Sequence, residues 1–180
     1  MKFEEKICLN WFKIHGVIIV KEKPVKLIAH RGNYKGANPH LENVPHYLEE
    51  ALDKGYDIEV DVWGMGENLW LGHDKPKCQI NYAEGMKLVP NPNVWWHVKN
   101  YEALIYLITR WPHLKVFSHE SDNYAIVTGG YVWTAHTMFP VPSKKTIVMI
   151  SEPSSLVLKR VFTEDKVLGI CCDDFRELEK

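Results

Sequence analysis

Residues 56–62 read Tyr56-Asp57-Ile58-Glu59-Val60-Asp61-Val62, and this stretch decides the fold. Side chains of a β-strand point alternately to its two faces, so the three aliphatic residues share one face and the three acidic residues share the other. A central strand of an α/β sheet needs an apolar face under its helices. Buried carboxylates are costly without a compensating cation. The stretch therefore predicts a central strand whose acidic face meets a metal ion or basic side chains, with a half-solvated strand as the alternative.

Short apolar runs separated by helical or loop segments continue from residue 26 onward, which is typical of an α/β protein with a mainly parallel sheet. We predict seven strands, at residues 26–29, 56–63, 94–98, 115–118, 131–134, 146–150 and 166–171. A full eight-unit barrel usually takes about 250 residues. The chain has 180. This length predicts a compact or incomplete TIM-type barrel over residues 26–180, with an open sheet as the alternative. Residues 1–25 are expected to be an N-terminal extension that forms a strand or hairpin.

Two helices have clear boundaries in the sequence. The first has Asn43 as its expected N-cap and Pro45 in its first turn, and Gly55 ends it. Asn100 opens the second, which ends before Pro112. Both follow predicted strands, as helices do in an α/β barrel.

Three further segments have weaker patterns. A third helix begins at Ser151 or Ser154. Residues 122–130 are expected to form a short helical turn that ends at two glycines, and residues 66–71 the return of a hairpin.

Composition indicates one globular domain, with 46% hydrophobic and 25% charged residues. The 22 Lys and Arg nearly balance the 23 Asp and Glu, which argues against a nucleic-acid partner. Residues 1–12 lack a secretory signal pattern, and the longest apolar runs are far shorter than the ~20 residues of a membrane span. The four cysteines show no C-x-x-C spacing, so we expect reduced thiols. We therefore expect a soluble, cytoplasmic protein.

Polar side chains recur where predicted strands end. His30 and Arg31 follow the first strand, and a His-Asp pair at 73–74 follows the hairpin. His97 and Lys99 share one face of the third strand by alternation. Asp173 and Asp174 follow the last strand and are expected to be solvated, although that edge also faces the site. Because α/β folds place their ligands at the carboxyl ends of parallel strands, this distribution predicts an active site there.

These motifs together resemble the glycerophosphodiester phosphodiesterase family. The residues that carry the resemblance are Leu27-Ile28-Ala29-His30-Arg31-Gly32, Glu42-Asn43, Ala51, Gly55, Glu59-Val60-Asp61-Val62 and His73-Asp74. H-R-G alone is a weak signal, but H-R-G with E-N, E-x-D and H-D in this order is specific. The match covers residues 26–99. Further along, residues 96–100, 131–134 and 168–171 are similar to a compact, poorly characterised branch of the same superfamily, which includes sphingomyelinase D and phosphatidylinositol phospholipases.

The resemblance implies a barrel that hydrolyses phosphodiesters of lipid metabolism with the help of one divalent metal ion. It implies the following roles: His30 and His73 as the general acid and base, Arg31 and Lys99 as phosphate contacts, and Glu59, Asp61 and Glu42 at the metal. The substrate would be a small-molecule or lipid phosphodiester. Assembly into a homo-oligomer stays open.

One position departs from the family. Where the family has a glutamate that completes the metal site, this chain has His97. Mg²⁺ and Ca²⁺, the ions we expect first, prefer oxygen ligands, whereas imidazole suits Zn²⁺ and also permits Mn²⁺. Either His97 is a nitrogen ligand, or a residue after the next strand substitutes for the glutamate, with Glu120 favoured over His119, or the site holds no stable metal.

Three functions stay open from the sequence. The first is a metal-assisted phosphodiesterase with His30 and His73 as its proton-transfer groups. The second is a phospholipase D-like or lyase reaction on a lipid phosphodiester. The third is a phosphodiester-binding module without catalysis, which the change from glutamate to His97 favours.

Overall fold

Strands and short helices alternate along the chain. The computed structural model describes residues 11–14, 17–20, 23–135, 143–151, 161 and 167–176. In chain order its elements are β1 (Trp11–Ile14), β2 (Val17–Val20), β3 (Lys23–His30), α1 (Pro45–Asp53), β4 (Asp57–Met65), β5 (Asn68–Leu71), β6 (Cys78–Gln79), α2 (Tyr82–Leu88), β7 (Val94–Val98), α3 (Tyr101–Arg110), β8 (Lys115–Phe117), β9 (Tyr124–Val127), β10 (Tyr131–Ala135), β11 (Thr146–Ile150) and β12 (Val167–Cys172). All seven predicted strands are confirmed, as β3, β4, β7, β8, β10, β11 and β12.

The seven strands lie parallel in the order β8-β7-β4-β3-β12-β11-β10. β9 extends this row antiparallel to β10. The row then closes on itself after β9, where the Thr128 N–H donates to the Val116 carbonyl of β8 (2.9 Å) and Thr128 Oγ1 accepts from the Val116 N–H (2.8 Å). These two hydrogen bonds join the ends of the eight-stranded row into a ring without a β8–β9 ladder, which confirms the prediction of a compact or incomplete TIM-type barrel.

A hairpin in place of a strand-helix unit shortens this barrel. β9 and β10 are joined directly through Gly129 and Gly130, both at positive φ (82° and 77°), and residues 118–130 contain no helix. The predicted helical turn at 122–130 is therefore wrong. The segment instead alternates like a strand, with Ala125 and Val127 buried inside the ring. A two-glycine turn thus connects the eighth strand to the barrel without an intervening helix.

Helix α1 begins and ends where the sequence predicts, but its cap differs. Pro45 is in its first turn, and Gly55 (φ 86°) follows its end. The N-cap is Val44, which makes no side-chain capping bond, so the prediction of Asn43 as N-cap is wrong. Asn43 has a left-handed backbone (φ 59°), and its side chain is bonded to β4 instead.

Helix α3 confirms the prediction for Asn100, whose side chain accepts a hydrogen bond from the Ala103 N–H (3.1 Å). Helix α2 was not predicted, although Asn81 and Glu84 form a reciprocal capping box at its start. The hairpin predicted at residues 66–71 is confirmed by the antiparallel pairing of β4 with β5. The helix predicted near residues 151–154 falls mostly outside the described residues. None of the described helices has the length and apolar character that crossing a membrane requires.

The N-terminal strands form a hairpin. β1 and β2 are antiparallel, and β2 continues along the first half of β3, with Val17 opposite Lys26. β3 itself begins at Lys23. The division into residues 1–25 and 26–180 stays a prediction.

The alternation predicted for β4 separates two apolar clusters. Ile58, Val60 and Val62 are completely buried in the outer cluster, where α1 contributes Leu48 and Ala51. The inner cluster fills the ring with side chains from seven strands, namely Ile28, Trp95, Phe117, Ala125, Val127, Trp133, Ile147 and Cys171. The acidic residues of β4 therefore point into the ring, beside this inner cluster.

The close packing of α3 on β4 predicts a large effect for Gly64→Ala. A Cβ at this position would lie 2.5 Å from the backbone nitrogen of Ala103, which cannot move without displacing the helix. We expect a loss of about 2 kcal/mol in the free energy of unfolding, measured by urea denaturation. Gly85→Ala in α2 is the matched control, since its Cβ would meet only Ile80 at 3.6 Å and a helix gains from alanine. Equal stability of the two variants would contradict the prediction.

Candidate active site

The carboxyl ends of the parallel strands carry a layer of inward-pointing polar side chains. These side chains are those of His30, Glu59, Asp61, His97, Lys99, His119 and Asp173, from five strands or the residues just after them. Several of them line a pocket of about 200 Å³. The strand period of two explains this layer, because every second residue of each strand returns to the inside of the ring.

Asp57 lies at the opposite end of the ring and has its own partners. The Lys26 ammonium donates to both of its carboxylate oxygens (2.8 and 3.1 Å), and the Trp95 indole N–H donates to Oδ2 (2.9 Å). Lys115 Nζ lies 3.9 Å from the same oxygen. The sequence predicted that either a metal ion or basic side chains compensate the acidic face of this strand. At Asp57 the compensating groups are basic side chains.

Asp61 is completely buried and is surrounded by donors. Asn43 holds it from both sides: its Nδ2 donates to Asp61 Oδ2 (2.9 Å), and its Oδ1 accepts from the Asp61 N–H (2.9 Å). Three cationic side chains lie near the carboxylate, namely His97 (Nδ1 to Oδ1, 2.9 Å), Arg31 (Nε to Oδ2, 3.2 Å) and Lys99 (Nζ to Oδ1, 3.5 Å). Burial alone would raise the pKa of Asp61, but the hydrogen bond to His97 and the neighbouring positive charges hold it below its ordinary value.

Glu59 is also buried, one inward position earlier on β4. Its Oε2 accepts a hydrogen bond from the Arg31 backbone N–H (3.1 Å), and Arg31 reaches this position with a left-handed backbone (φ 54°). His97 Nδ1 is 3.4 Å from Oε1, and His30 Nε2 is 4.0 Å from Oε2. The carboxylate thus lies between two imidazoles.

His97 faces both carboxylates through Nδ1, and its ring is fixed by stacking. Phe117 (centroids 4.9 Å apart, 2°) and His119 (4.6 Å, 7°) both lie parallel to it, with 6.1 Å between their own centroids. Burial lowers the pKa of His97, but hydrogen bonds and charges from Asp61 and Glu59 outweigh it and raise the pKa to about 9. Without a metal, His97 is therefore protonated at neutral pH.

The donor set of this cluster fits a divalent metal ion. Ligand atoms of Glu59, Asp61 and His97 all lie within 4.8 Å of one another, and all three residues are buried. His97 Nε2 is a buried polar atom without a hydrogen bond among the described residues. Two carboxylates and one imidazole suit the borderline ion Zn²⁺, and the two carboxylates also permit Mn²⁺.

Glu42 and Glu120 lie outside this cluster. Glu42 Oε2 accepts from Arg31 Nη1 (3.1 Å), and its Oε1 accepts from Asn33 Nδ2 (3.0 Å). Glu42 therefore orients the guanidinium of Arg31 beside the pocket. Glu120 is exposed after β8. Of the residues considered for the third ligand position, the structure groups only His97 with Glu59 and Asp61.

His30 lines the pocket and is oriented by Asp173. Its Nδ1 donates to Asp173 Oδ1 (2.9 Å), which also accepts from Asn33 Nδ2 (2.8 Å). Burial lowers the pKa of His30, but the bond to Asp173 and the charge of Glu59 outweigh it, so that the pKa is raised. Asp173 was expected to be solvated. The alternation of Gly169, Cys171 and Asp173 along the inner face of β12 is the signal that would have placed it here.

His73 lines the same pocket from the segment after β5. Its Nδ1 donates to Asp74 Oδ1 (2.6 Å), but this pair is open to solvent, with 39% of the His73 and 91% of the Asp74 side chain exposed. The two predicted histidines therefore share one pocket, each with a carboxylate on Nδ1. Only the pair of His30 and Asp173 is shielded from water.

Comparison with solved structures finds relatives of this architecture. The chain is similar to a glycerophosphodiester phosphodiesterase from Agrobacterium tumefaciens str. C58, with a TM-score of 0.51 over 83% of this chain and 96% of that one, at 16% sequence identity. The fold is that of a glycerophosphodiester phosphodiesterase. No family model matches the sequence, and no curated protein matches it. Enzymes with a TIM-type barrel carry their active sites at the carboxyl ends of the strands, and the pocket of this chain lies at that end.

Proposed function

We propose that this protein is a metal-assisted phosphodiesterase that hydrolyses a small glycerophosphodiester. The observation that carries the proposal is that His30 and His73 line one pocket together with Glu59 and His97. The similarity in fold to a glycerophosphodiester phosphodiesterase supports it.

Phosphate binding falls to Arg31, which lines the pocket, and to Lys99, which lies beside the same Asp61 carboxylate as Arg31. A phosphodiester carries one negative charge, and more accumulates on its oxygens as the nucleophile attacks. Arg31 is tied to Glu42 and Asp61, so its guanidinium is held in place before the substrate binds. Lys99 Nζ, 3.5 Å from Asp61, supplies a second positive charge on the same side.

Proton transfer falls to the two histidines. One imidazole accepts the proton of the attacking water or hydroxyl, and the other donates a proton to the leaving alcohol. Each ring is held at Nδ1 by a carboxylate, which leaves the opposite nitrogen for the substrate. If the substrate has a hydroxyl beside its phosphate, as glycerol does, the same pair can catalyse internal attack through a cyclic phosphate.

Glu59, Asp61 and His97 are the residues that would hold a divalent ion. A bound ion would polarise the phosphoryl group and lower the pKa of a neighbouring hydroxyl. Asn43 fixes the Asp61 carboxylate by two hydrogen bonds, so this part of the site is rigid in either case.

Pocket size favours a small diester over a lipid. Its volume of about 200 Å³ is below the about 300–1,000 Å³ of sites that enclose drug-sized ligands. Acyl chains of a lysolipid would have to leave through the mouth. Of the two enzymatic alternatives, the phospholipase D-like or lyase reaction on a lipid is therefore the less favoured.

A phosphodiester-binding module is the second candidate. Its supporting observation is that Asp61 and Glu59 already have His97 and Arg31 as cationic neighbours, so the buried carboxylates do not require a metal for compensation.

Product analysis distinguishes these functions. Purified protein is incubated with glycerophosphocholine, glycerophosphoglycerol and lysophosphatidylcholine, each with Mg²⁺, Ca²⁺, Mn²⁺ or Zn²⁺ or with EDTA, and followed by ³¹P NMR. We expect glycerol 3-phosphate or cyclic glycerol phosphate from the small diesters, with turnover lost in EDTA and in the double variant His30→Ala/His73→Ala. Binding of the diesters without turnover under every metal would establish the binding module, and turnover of the lysolipid alone the lipid reaction.

A further inference from the structure

Lys115 is a partly buried lysine that the proposed active site does not use. It is the first residue of β8 and pairs in register with Trp95 of β7, so it lies at the end of the ring opposite the pocket. Only 16% of its side chain is exposed. Loss of water disfavours the charged form of an amine unless a carboxylate compensates it. The protonation of Lys115 therefore depends on how its neighbours are paired.

One carboxylate is shared between two ammonium groups at this end of the ring. Lys26 Nζ donates to both oxygens of Asp57 (2.8 and 3.1 Å), and the Trp95 indole N–H donates to Oδ2 (2.9 Å). Lys115 Nζ is 3.9 Å from the same oxygen, which is beyond hydrogen-bond distance. Asp57 thus neutralises Lys26, and the ammonium of Lys115 is a surplus positive charge.

The remaining contacts of Lys115 Nζ are with neutral groups. It donates to the Pro92 carbonyl oxygen and lies 4.2 Å from the centre of the Trp95 ring. Both contacts favour the ammonium, but neither supplies a negative charge. Burial and the charge of Lys26 outweigh the attraction of Asp57 and lower the pKa of Lys115 to about 8. A much larger fraction of this amine is therefore unprotonated at neutral pH than of a lysine in water.

The charge around Lys115 favours an anionic reagent. Lys145 places a third ammonium at this end of the ring, 5.2 Å from the centre of the Tyr131 ring, and Tyr131 packs edge-on against Trp95 (5.3 Å). Three ammonium groups around the single carboxylate of Asp57 make a positively charged cluster. Such a cluster attracts anions.

A neutral amide is the product that balances these charges. An unprotonated lysine amine is a nucleophile, and acylation removes its charge. Lys26 and Asp57 would then remain as one cation paired with one anion. Alkylation would keep the surplus charge of Lys115, and a carbamate would place a second anion beside Asp57. An acyl donor that is itself anionic therefore fits this site best.

We propose that Lys115 is a site of acylation by a small acyl phosphate. Its Nζ attacks the acyl carbon, an amide bond forms as the bond from that carbon to the phosphate oxygen breaks, and the amine proton leaves with the phosphate as hydrogen phosphate. Because the amine lies at the other end of the ring from the pocket, its acylation does not depend on the proposed phosphodiesterase activity.

Acetyl phosphate tests the reactivity of Lys115 directly. The purified protein is incubated with this reagent at a series of pH values, and acetylation of each lysine is followed over time by mass spectrometry of proteolytic peptides. Lys54 is the matched control in the same chain, since it is exposed and also lies near an aromatic ring, 5.8 Å from the centre of Tyr34. We expect Lys115 to be acetylated about tenfold faster than Lys54 near neutral pH. The rate at Lys115 should level off above about pH 8, whereas the rate at Lys54 should continue to rise.

Lys26→Gln separates the effect of charge from that of exposure. Without the Lys26 ammonium, Asp57 is left to pair with Lys115, so the pKa of Lys115 should rise. We expect acetylation of Lys115 to slow by about tenfold near neutral pH, with the rate at Lys54 unchanged. Lys26→Arg keeps the positive charge beside Asp57 and should react like wild type. Lys115→Arg should lose the fast-reacting position altogether.

Two results in the wild type would overturn the proposal: a Lys115 that reacts no faster than Lys54, or a rate at Lys115 that rises with pH in parallel with the rate at Lys54. Both are measured without a variant, so they hold even if Lys26→Gln fails to fold. In a folded Lys26→Gln, an unchanged or faster acetylation of Lys115 would also overturn it.

Discussion

His30→Ala is expected to lower the turnover of a glycerophosphodiester by about 10²- to 10⁴-fold, the usual contribution of a general acid or base. His30 lines the pocket, and its ring is held by Asp173 at 2.9 Å. Alanine removes the nitrogen that would exchange a proton with the substrate but leaves the phosphate contact of Arg31. We therefore expect the loss in kcat, measured by initial rates over a range of substrate concentrations, with KM changed little.

Comparison of the two carboxylates that hold the histidines tests this assignment more sharply. Asp173→Asn keeps the shape of the side chain but removes the charge that orients and stabilises the shielded His30, so we expect a loss of about ten- to a hundredfold in kcat. Asp74→Asn removes a carboxylate whose side chain is 91% exposed, where ion pairs contribute little. We expect a change of at most about threefold.

The free energy of unfolding is measured for His30→Ala, Asp173→Asn and Asp74→Asn alongside their kinetics. Urea denaturation separates loss of a proton-transfer group from loss of the fold, and the exposed His113→Ala provides the baseline for a histidine outside the pocket. Full activity in a folded His30→Ala would remove His30 from the mechanism. Equal losses in Asp173→Asn and Asp74→Asn would show that the shielding of the His30 pair has no catalytic role.

The strands were predictable because their signal is local. An apolar face under helices and a polar face inside the ring leave a period of two, which residues 57–62 show without interruption. β9 was missed because four residues before two glycines are compatible with the end of a helix as well as with a hairpin. Its alternation became decisive only when the ring required Ala125 and Val127 on the inside.

The partners of the site residues were not predictable in the same way. Asn43 has the position and residue type of an N-cap, yet its side chain bonds Asp61, which lies 18 residues along the chain. Asp173 pairs with His30 across 143 residues. The pairing of Asp173 with His30 follows from the pairing of β12 with β3, which brings the first and last strands of the barrel together. A local pattern identifies which face a side chain occupies, but only the ring identifies its neighbours.

His97→Glu is expected to change which metal ion the site prefers. The wild-type cluster offers two carboxylates and one imidazole, which favours Zn²⁺, and we expect Zn²⁺ to bind at least about a hundredfold more tightly than Mg²⁺ or Ca²⁺. Glutamate makes the donor set all oxygen, which suits the harder ions. The ratio of Zn²⁺ affinity to Mg²⁺ or Ca²⁺ affinity should therefore fall by about tenfold or more in His97→Glu, as measured by calorimetric titration with each metal chloride. Glu120→Gln tests the competing ligand, because only participation of Glu120 would make this exposed residue affect the selectivity.

The proton on His97 gives the same prediction a dependence on pH. In the metal-free protein its pKa is raised to about 9, above the ordinary value of 6.5, so a metal must displace this proton to reach the ring nitrogen. Metal affinity of the wild type should accordingly rise about tenfold per pH unit up to about pH 9.

The stability that protonated His97 contributes is complete below pH 6.5 and is lost as the pH rises through 9, so the metal-free wild type should unfold more easily in urea across that window. His97→Glu lacks this proton, and both slopes should disappear in it. A wild-type affinity that does not vary between pH 6.5 and 9 would mean that the metal binds without His97, since a ligand that must first lose a proton cannot bind independently of pH.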